Sequence, residues 1–584
     1  MLGKKQKNVY TLRRRALREL FRLTQPYQRI FYLLIILTLA VGVIGPSRPF
    51  LVQHALDHYI AREDYSGLLG MTLVLLILLV VQVLVQYYVI YLSDWLGQHV
   101  AKDLRVQIYA HTTQMPMGFY HKTPIGKLVT QIISSTEMIV NVFSEGFATL
   151  IADLLQLVAV AAFMVYIDWQ LALPSLAMLP ILSLSVYLIK ERLRATYKQI
   201  RDAVVHLNSF VQVRLTGMSI VQIFNREQQE LDQFESLNEI HKNAHNRSVL
   251  YYALYFPVLD ILRAIGISLL IWYGAHGVLQ GQITLGKLTA FLMYITMFFR
   301  PLYYLIERFN TLQMGLVGAD KIFRLLAHNE QAHHQGTYRS ECIQGAITFD
   351  RVWFAYQDDN YILKDVSFHI QARQSLAIVG ATGAGKSTIV TLLKRFDNAQ
   401  KGTISLDGIN ILDYDIRVLR QNLGLVLQDV FLFSTSIHDN ITLGDEAIPR
   451  ERVVEAAQMV GIHDFIQSLP GGYHYNVQEG GRALSMGQRQ LLAFARVLVY
   501  DPCILILDEA TASMDTATEA LIQQATARLV QSRTAIIIAH RLATIRHADE
   551  IMVLEHGRVR ERGTHEDLLA QNGAYALLHN TQYQ

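Results

Sequence analysis

The 584-residue sequence has little cysteine, little charge and almost no excess of either sign. Two cysteines, Cys342 and Cys503, exclude a disulfide framework and a Cys-rich zinc site. Charged residues make up 17% of the chain, well below the usual soluble share of about 25%. Lys and Arg number 52 and Asp and Glu 49, so the formal charge is +3. That balance excludes a nucleic-acid binder recognised by charge alone. The chain is instead 51% hydrophobic, which argues against a plain soluble enzyme and against disorder. Its length implies about three domains at roughly 100–200 residues each.

The apolar excess sits in the first 325 residues. Six stretches, near 30–52, 68–93, 143–167, 169–190, 250–279 and 284–308, are long enough to cross a bilayer as helices. The second contains MTLVLLILLVVQVLVQYYVIYL, with no charged residue, and a buried soluble helix of that length is improbable. Lys4, Lys5, Lys7, Arg13, Arg14, Arg15 and Arg18 precede the first span. The next loop offers only Arg62 against Asp57, Glu63 and Asp64, so the N-terminus is expected in the cytoplasm. Residues 10–25 mix Arg with Leu and Phe at helical spacing, which reads as a helix lying on the inner membrane surface. A cleaved signal peptide is the competing reading, but the first apolar run is too long and lacks a small-residue cleavage site.

The connections between spans are unequal. Spans three and four meet around Asp168, and spans five and six at Gly281-Gln282-Ile283. The links near 94–142 and 191–249 are long, charged and helically patterned. They are expected to be extensions of the membrane helices into the cytosol, with tips near Phe119–Gly126 and Gln212–Phe224. From about 340, short Val/Ile/Leu runs alternate with amphipathic helices and Gly-rich turns, the pattern of an α/β domain with parallel strands. The expected organisation is an α-helical membrane domain over 1–325, a linker over 326–340, and an α/β P-loop NTPase domain over 341–584. The linker histidines His333 and His334 are more simply solvated than metal-bound.

Residues 376–388 read LAIVGATGAGKST. An apolar strand runs through Gly380, Ala381, Thr382, Gly383, Ala384, Gly385, Lys386, Ser387 and Thr388 into an apolar helix, which is a phosphate-binding loop in its strand–loop–helix setting. Glycines let backbone N–H groups face phosphate, and the helix N-terminus adds its dipole. Lys386 would reach the β- and γ-phosphates of ATP, and Ser387 would hold Mg²⁺. A second strand, Ile504–Leu507, ends in Asp508-Glu509. Asp508 is placed to serve the metal, directly or through water. Glu509 is placed to orient or deprotonate the attacking water.

Between these motifs stands Leu484-Ser485-Met486-Gly487-Gln488, which resembles the signature of ATP-binding-cassette proteins, usually LSGGQ. Gln428 in LVLQD matches the Q-loop glutamine, Asp515 in ATASMD the D-loop aspartate, and His540 in IIIAHR the switch histidine. Tyr356 matches the aromatic that stacks on adenine. The resemblance covers the entire chain. Six spans followed by one cassette resemble the half-transporters of type IV ABC exporters, and among them the MdlB-type multidrug-resistance-like subunits of bacterial heterodimeric exporters.

The resemblance implies ATP and Mg²⁺ as ligands, with Ser387, Gln428 and Asp508 around the metal. It implies a multi-pass place in the bacterial inner membrane and a second half-transporter as partner. Two cassettes would face head to tail, with the phosphate loop of one chain and Ser485, Met486, Gly487, Gln488 and Asp515 of the other flanking each ATP. Glu509, His540 and Gln428 would carry catalysis, and the two tips would be coupling helices. Two departures stand out. Arg373-Gln374 replaces the usual Gly-Glu in a turn expected to be immaterial. Met486 replaces Gly, and it either weakens the composite site or packs harmlessly against the helix behind it.

Asp153, Asp260, Arg263, Arg300 and Glu307 fall in the spans, where ionisable residues are expensive. Asp260 and Arg263 share a helix face and can pair. They either line a polar substrate path or face water in an inward-open cavity. Tyr251, Tyr252, Tyr255, Phe256, Tyr294, Phe298, Phe299, Tyr303 and Tyr304 would suit amphipathic cargo, although interfacial anchoring and helix packing explain most of them. The expected function is ATP-driven export of an amphipathic, drug- or lipid-like substrate. A lipid flippase shares the same machinery, and an ATP-gated membrane switch would use the same cassettes. Fusion of spans and cassette on one chain argues against an importer.

Overall fold

The computed structural model describes residues 18–328, 336–340, 342–356, 360–508, 516–538 and 545–582. The chain divides into two compact units. One comprises Met1–Thr113 and Ile125–Asn329, the other Gln114–Pro124 and Glu330–Gln584. Most of the expected surface helix over 10–25 lies outside the described residues, as do His333 and His334.

Among the described residues, six helical segments of the first unit are long and apolar enough to cross a membrane: Gln25–Ile60, Tyr65–Thr113, Ile125–Ile167, Trp169–Thr216, Glu227–Leu279 and Leu285–Leu326. At one end they are joined by short turns. There Asp168 breaks the helix with an extended backbone and restarts it, its carboxylate accepting from the N–H groups of Gln170 and Leu171 at 3.1 and 3.3 Å. At the other end the helices run on as the long levers expected from the charged links.

The core of this unit is aromatic. Tyr255, Leu259, Phe291, Tyr294, Ile295 and Phe298 pack with Val160 and Met164. Each buried tyrosine finds a backbone acceptor, as a phenol must away from water. Tyr255 donates to the Leu302 carbonyl at 2.6 Å and Tyr294 to that of Pro46 at 2.8 Å. So the span-five and span-six aromatics divide. Tyr255, Phe291 and Tyr294 are structural core, whereas Tyr304 is half exposed.

The second unit holds two sheets. β3 (Ser375–Val379), β6 (Leu423–Val426), β7 (Ile504–Asp508), β8 (Thr534–Ile538) and β9 (Glu550–Glu555) run parallel, with β10 (Arg558–Gly563) as an antiparallel edge, in the order β10-β9-β3-β8-β7-β6. β3 and β8 are buried at every residue, as a parallel sheet covered on both faces requires. The period of two sorts the side chains. Leu505 and Leu507 join one core with Phe494 and Val553, while Ile504 and Ile506 join the other with Phe349 and Met552.

The other sheet is antiparallel, β2-β1-β4-β5, from β1 (Ile347–Phe354), β2 (Leu363–Ile370), β4 (Lys401–Leu406) and β5 (Ile409–Asn410). The expected parallel architecture therefore describes one sheet of the two. The sequence gives a reason. β2 alternates buried Val366, Phe368 and Ile370 with exposed Ser367 and His369, the pattern of a strand covered on one face only.

The tip expected near Phe119–Gly126 is a short helix, Met117–Lys122. It begins two residues early because Pro116 sits in the extended region (φ −65°, ψ 155°) and supplies the start. This tip belongs to the cassette unit. Phe119 is buried, and a Cβ on Gly118 would lie 3.3 Å from Asp397 Oδ1. Burial raises the pKa of Asp397 above the usual carboxylate value, opposed by the nearby charges of His121 and Lys122. The second tip is a kink at Gly217 followed by the helix Met218–Ile223, and it stays with the membrane unit.

Candidate functional site

β3 delivers Gly380 to the carboxyl edge of the parallel sheet. Gly380, Gly383 and Gly385 have φ of +152°, +83° and +107°, which side-chain-bearing residues rarely adopt. A Cβ on Gly380 would stand 2.2 Å from the Leu554 carbonyl oxygen, so the loop needs glycine there for space as well. The helix Lys386–Leu393 starts directly after Gly385, and its first N–H groups face the loop. Lys386 is 7% exposed. Its Nζ donates to the carbonyls of Gly380 at 2.6 Å and Ala381 at 3.1 Å. Burial lowers the lysine pKa, and the Asp508 carboxylate pulls it back up. Ala381, Thr382, Gly383 and Ser387 face solvent, whereas Ala384 and Thr388 are buried.

The strand register brings the other motifs to the same edge. Ile378 pairs with Ile538, Ile538 with Asp508, and Leu507 with Val426. Gly380 and Asp508 therefore leave strands two spacings apart, about 10 Å. Gln428 follows β6 by two residues and is exposed. Carboxyl ends of parallel strands are where open α/β sheets bind ligands. Tyr356 is 43% exposed and lies edge-on to Phe354 at 4.9 Å, leaving a face free for stacking. Glu509, Asp515 and His540 lie outside the described residues.

Ser485 caps the helix Met486–Tyr500. Its Oγ accepts from Gln488 N–H at 3.2 Å, and Gln488 Oε1 accepts from Ser485 N–H at 2.8 Å. This reciprocal box explains the spacing of Ser485 and Gln488 and fixes a well-formed helix start. Met486 is half-buried at its first position and Gly487 is buried. Arg373, where the resemblance expects Gly, has φ of +66°. It places a Cβ where the left-handed backbone favours glycine.

In the membrane unit, Asp260 and Arg263 do meet, at 3.0 Å, and Tyr303 donates to the same Asp260 Oδ1 at 2.5 Å. Tyr303 in turn stacks on Phe256 at 6.0 Å. Asp153 lies within electrostatic reach of Arg300 and Arg308. Arg48 in the first span is not singled out by the sequence reading, although the rule applied to the other spans, a charge inside an apolar run, marks it as well.

Two family models match the chain: the ABC transporter transmembrane region over residues 31–302 and the ABC transporter model over 363–512. The chain is 36% identical over 562 residues to the ABC transporter ATP-binding protein YknV of Bacillus subtilis, covering 96% of this chain and 93% of that protein. The chain belongs to the ABC transporter family.

A second relative of this ABC transporter, in Syntrophus aciditrophicus, is named an ATP-dependent lipid A-core flippase. It is 32% identical over 568 residues, 97% of this chain and 94% of the relative. A third, YheH of Bacillus subtilis, is named a probable multidrug resistance ABC transporter ATP-binding/permease protein. It is 36% identical over 508 residues, 86% of this chain and 75% of the relative. Among solved structures, a bacterial Atm1-family ABC exporter with ATP bound matches with a TM-score of 0.80 and 28% identity, over 95% of this chain and 98% of the other. The ABC transporter described here is thus a half-transporter of the type IV exporter kind, an ATPase that couples ATP hydrolysis to transport.

Proposed function

We propose that this chain is one half of a two-chain exporter that moves an amphipathic, drug- or lipid-like substrate out of the bacterial cytoplasm, and that its partner is a different half-transporter. The domains are assigned as membrane domain 1–325, linker 326–340 and cassette 341–584. The N-terminus and cassette are cytoplasmic, and the short turns near Asp168 and Gly281 are external. The observation that carries the reading is the convergence of the phosphate loop, Asp508 and Gln428 on one sheet edge, in a chain whose other unit is six membrane-length helices.

Ser387, Gln428 and Asp508 supply hard oxygen donors of the kind Mg²⁺ takes, and Ser387 and Gln428 are exposed at that edge. Magnesium, when bound, neutralises charge on the β- and γ-phosphates. Lys386 gives up its hydrogen bonds to Gly380 and Ala381 and donates to the phosphates instead. Tyr356 holds adenine by its free face. Glu509 takes a proton from the attacking water, and His540 holds the γ-phosphate. The partner's phosphate is met by the free N–H groups at the start of the Met486–Tyr500 helix, behind the Ser485 cap. Met486 then affects only the site built on the partner's phosphate loop, and Glu509 serves the other. Asp260 and Arg263 line the substrate path with Tyr303.

The test is reconstitution with the neighbouring half-transporter in liposomes, with ATPase measured against a panel of lipids and cationic drugs. Stimulation by at least one amphipathic compound, with its ATP-dependent movement, is expected. No stimulation and no movement across the panel would refute export. A flippase of membrane lipid is the second reading, favoured by the relative named a lipid A-core flippase. Translocation of a fluorescent phospholipid without any drug response would select it.

A further inference from the structure

Arg48 stands in the first span in the run Gly45-Pro46-Ser47-Arg48-Pro49. A polar boundary at the short-turn end fixes its depth. There the Asp57 carboxylate accepts from the Thr284 hydroxyl at 2.7 Å and from Gly286 N–H at 3.0 Å. Beside it Lys287 pairs with Asp168 at 3.1 Å. Arg48 lies nine residues below Asp57, about 13 Å along a helix, which is close to the middle of a hydrocarbon core about 30 Å thick.

Neighbouring helices give the same depth. Tyr294, seven residues below Lys287, bonds the Pro46 carbonyl. A Cβ on Gly45 would lie 3.7 Å from the Met297 side chain and 3.8 Å from Gln82 Nε2. An arginine side chain is too short to return from this depth to the boundary.

Several other ionisable residues of the spans have oppositely charged neighbours among the described residues. Arg263 pairs with Asp260, which also accepts a hydrogen bond from the Tyr303 hydroxyl, and Asp153 lies within electrostatic reach of Arg300 and Arg308. Arg48 is half-buried and, among the described residues, has neither a hydrogen bond nor an ion pair. Polar groups gather around its level. The amide oxygens of Gln53 and Gln82 are buried without a partner, and Gln156 Nε2 donates to the Met297 carbonyl at 3.2 Å. Pro46 and Pro49 have no N–H to offer the carbonyls of Gly42 and Gly45 one turn earlier. A guanidinium in hydrocarbon is costly unless it faces water or an anion. A mid-membrane helix that lacks two of its backbone hydrogen bonds at prolines, beside glutamines, is built to carry polar company.

We propose that Arg48 is an anion-recognition group of the transport pathway, and that the cargo is an amphipathic anion: a carboxylate, sulfate or phosphate ester on an apolar body. This rests on the export reading above. The guanidinium fork matches such oxyanions with two parallel hydrogen bonds, and the glutamine amides satisfy the remaining polar atoms of the headgroup. The Asp260–Arg263–Tyr303 cluster is internally neutral and contributes no choice of sign. Cationic amphiphiles of equal chain length are therefore discriminated against at Arg48.

The experiment uses the full chain with its partner half in phosphatidylcholine nanodiscs. Direct binding and ATPase stimulation are measured with dodecyl phosphate and with dodecyltrimethylammonium. The wild-type protein should bind the phosphate at least about ten-fold more tightly than the ammonium compound. Arg48→Gln should weaken dodecyl phosphate about ten-fold or more with unchanged basal ATPase, and Arg48→Lys should retain part of the preference. Nanodiscs containing phosphatidic acid separate the sources. Arg48-dependent stimulation by that lipid assigns the headgroup of a membrane lipid, and stimulation by dodecyl phosphate alone assigns a free organic anion. Equal binding of the two dodecyl compounds, or Arg48→Gln binding the phosphate like wild type, would overturn the proposal. So would dissociation of the two-chain complex in both variants, which would assign Arg48 to assembly. If the wild type binds the phosphate through Arg48 but never moves it on ATP hydrolysis, the export reading fails and the site stands.

Discussion

The helix Met117–Lys122 buries Phe119 and sets Gly118 against Asp397, four residues beyond the end of the phosphate-loop helix. The helix Met218–Ile223 does the opposite. Ile220 and Ile223 are 63% and 75% exposed, and neighbouring Phe224 is 68% exposed. Both are tips of levers drawn from membrane-length helices. One is satisfied within its own chain, and the other presents apolar side chains that its own unit leaves uncovered. The cassette has an uncovered counterpart in Phe431 and Phe433, stacked edge to face at 5.2 Å. A contiguous exposed apolar patch on a folded unit signals a missing partner. The contrast fits the expectation that both tips are coupling helices: the first packs near the end of the chain's own phosphate-loop helix, and the second leaves apolar side chains free for a partner chain.

The largest effect should come from Glu509→Gln. ATP binding persists and turnover falls by about 100-fold or more, because a water-activating carboxylate is lost. With ATP this variant should hold the two cassettes together. A cysteine placed at Ile223 in a background lacking Cys342 and Cys503 should then become protected from a soluble thiol reagent. Protection that is unchanged by ATP would break the contrast between the tips. Next, Ile223→Asp with Phe224→Asp should reduce substrate-stimulated ATPase by about ten-fold, as two apolar anchors of an interface are lost. The melting temperature of the chain should stay unchanged. A lower melting temperature would mean that this tip is also satisfied internally.

Tyr356→Ala should weaken ATP binding by about ten-fold with little change in turnover at saturating ATP, since stacking on adenine is ground-state affinity. Loss of stability without loss of affinity would make it a packing residue. The smallest effect belongs to Arg373→Gly. Relief of the left-handed strain, less the entropy of the added glycine, should stabilise the cassette by up to about 1 kcal/mol. Chemical denaturation of the chain measures it, and no gain would mean that the hydrogen bond from Arg373 N–H to Thr534 already holds the turn without strain.

The spans were legible because uncharged runs of that length have few other uses, and β3 and β8 because a strand buried on both faces reads as an unbroken apolar run. The phosphate loop was legible from its glycines, each of which the backbone needs. The antiparallel sheet was not, since β1 and β2 are half-polar and irregular in register between Phe349 and Phe354. The left-handed φ at Arg373 was hidden because a turn's sign of φ depends on the strands it joins. Arg48 lies within the first span as read from the sequence, near 30–52, but was not singled out there, and its lack of a partner depends on tertiary packing. The assignment of the two tips to different units depends on tertiary packing, which no local pattern encodes.

The central proposal is that the cassette turns over ATP as half of a pair with a different chain. The direct measurement is to purify this chain alone and with the neighbouring half-transporter, and to determine mass and substrate-stimulated ATPase for each. The account predicts a two-chain complex with stimulated ATPase, and a single chain that neither forms a stable dimer nor responds to substrate. A stable dimer of this chain alone, hydrolysing ATP with substrate stimulation and needing no second polypeptide, would contradict it.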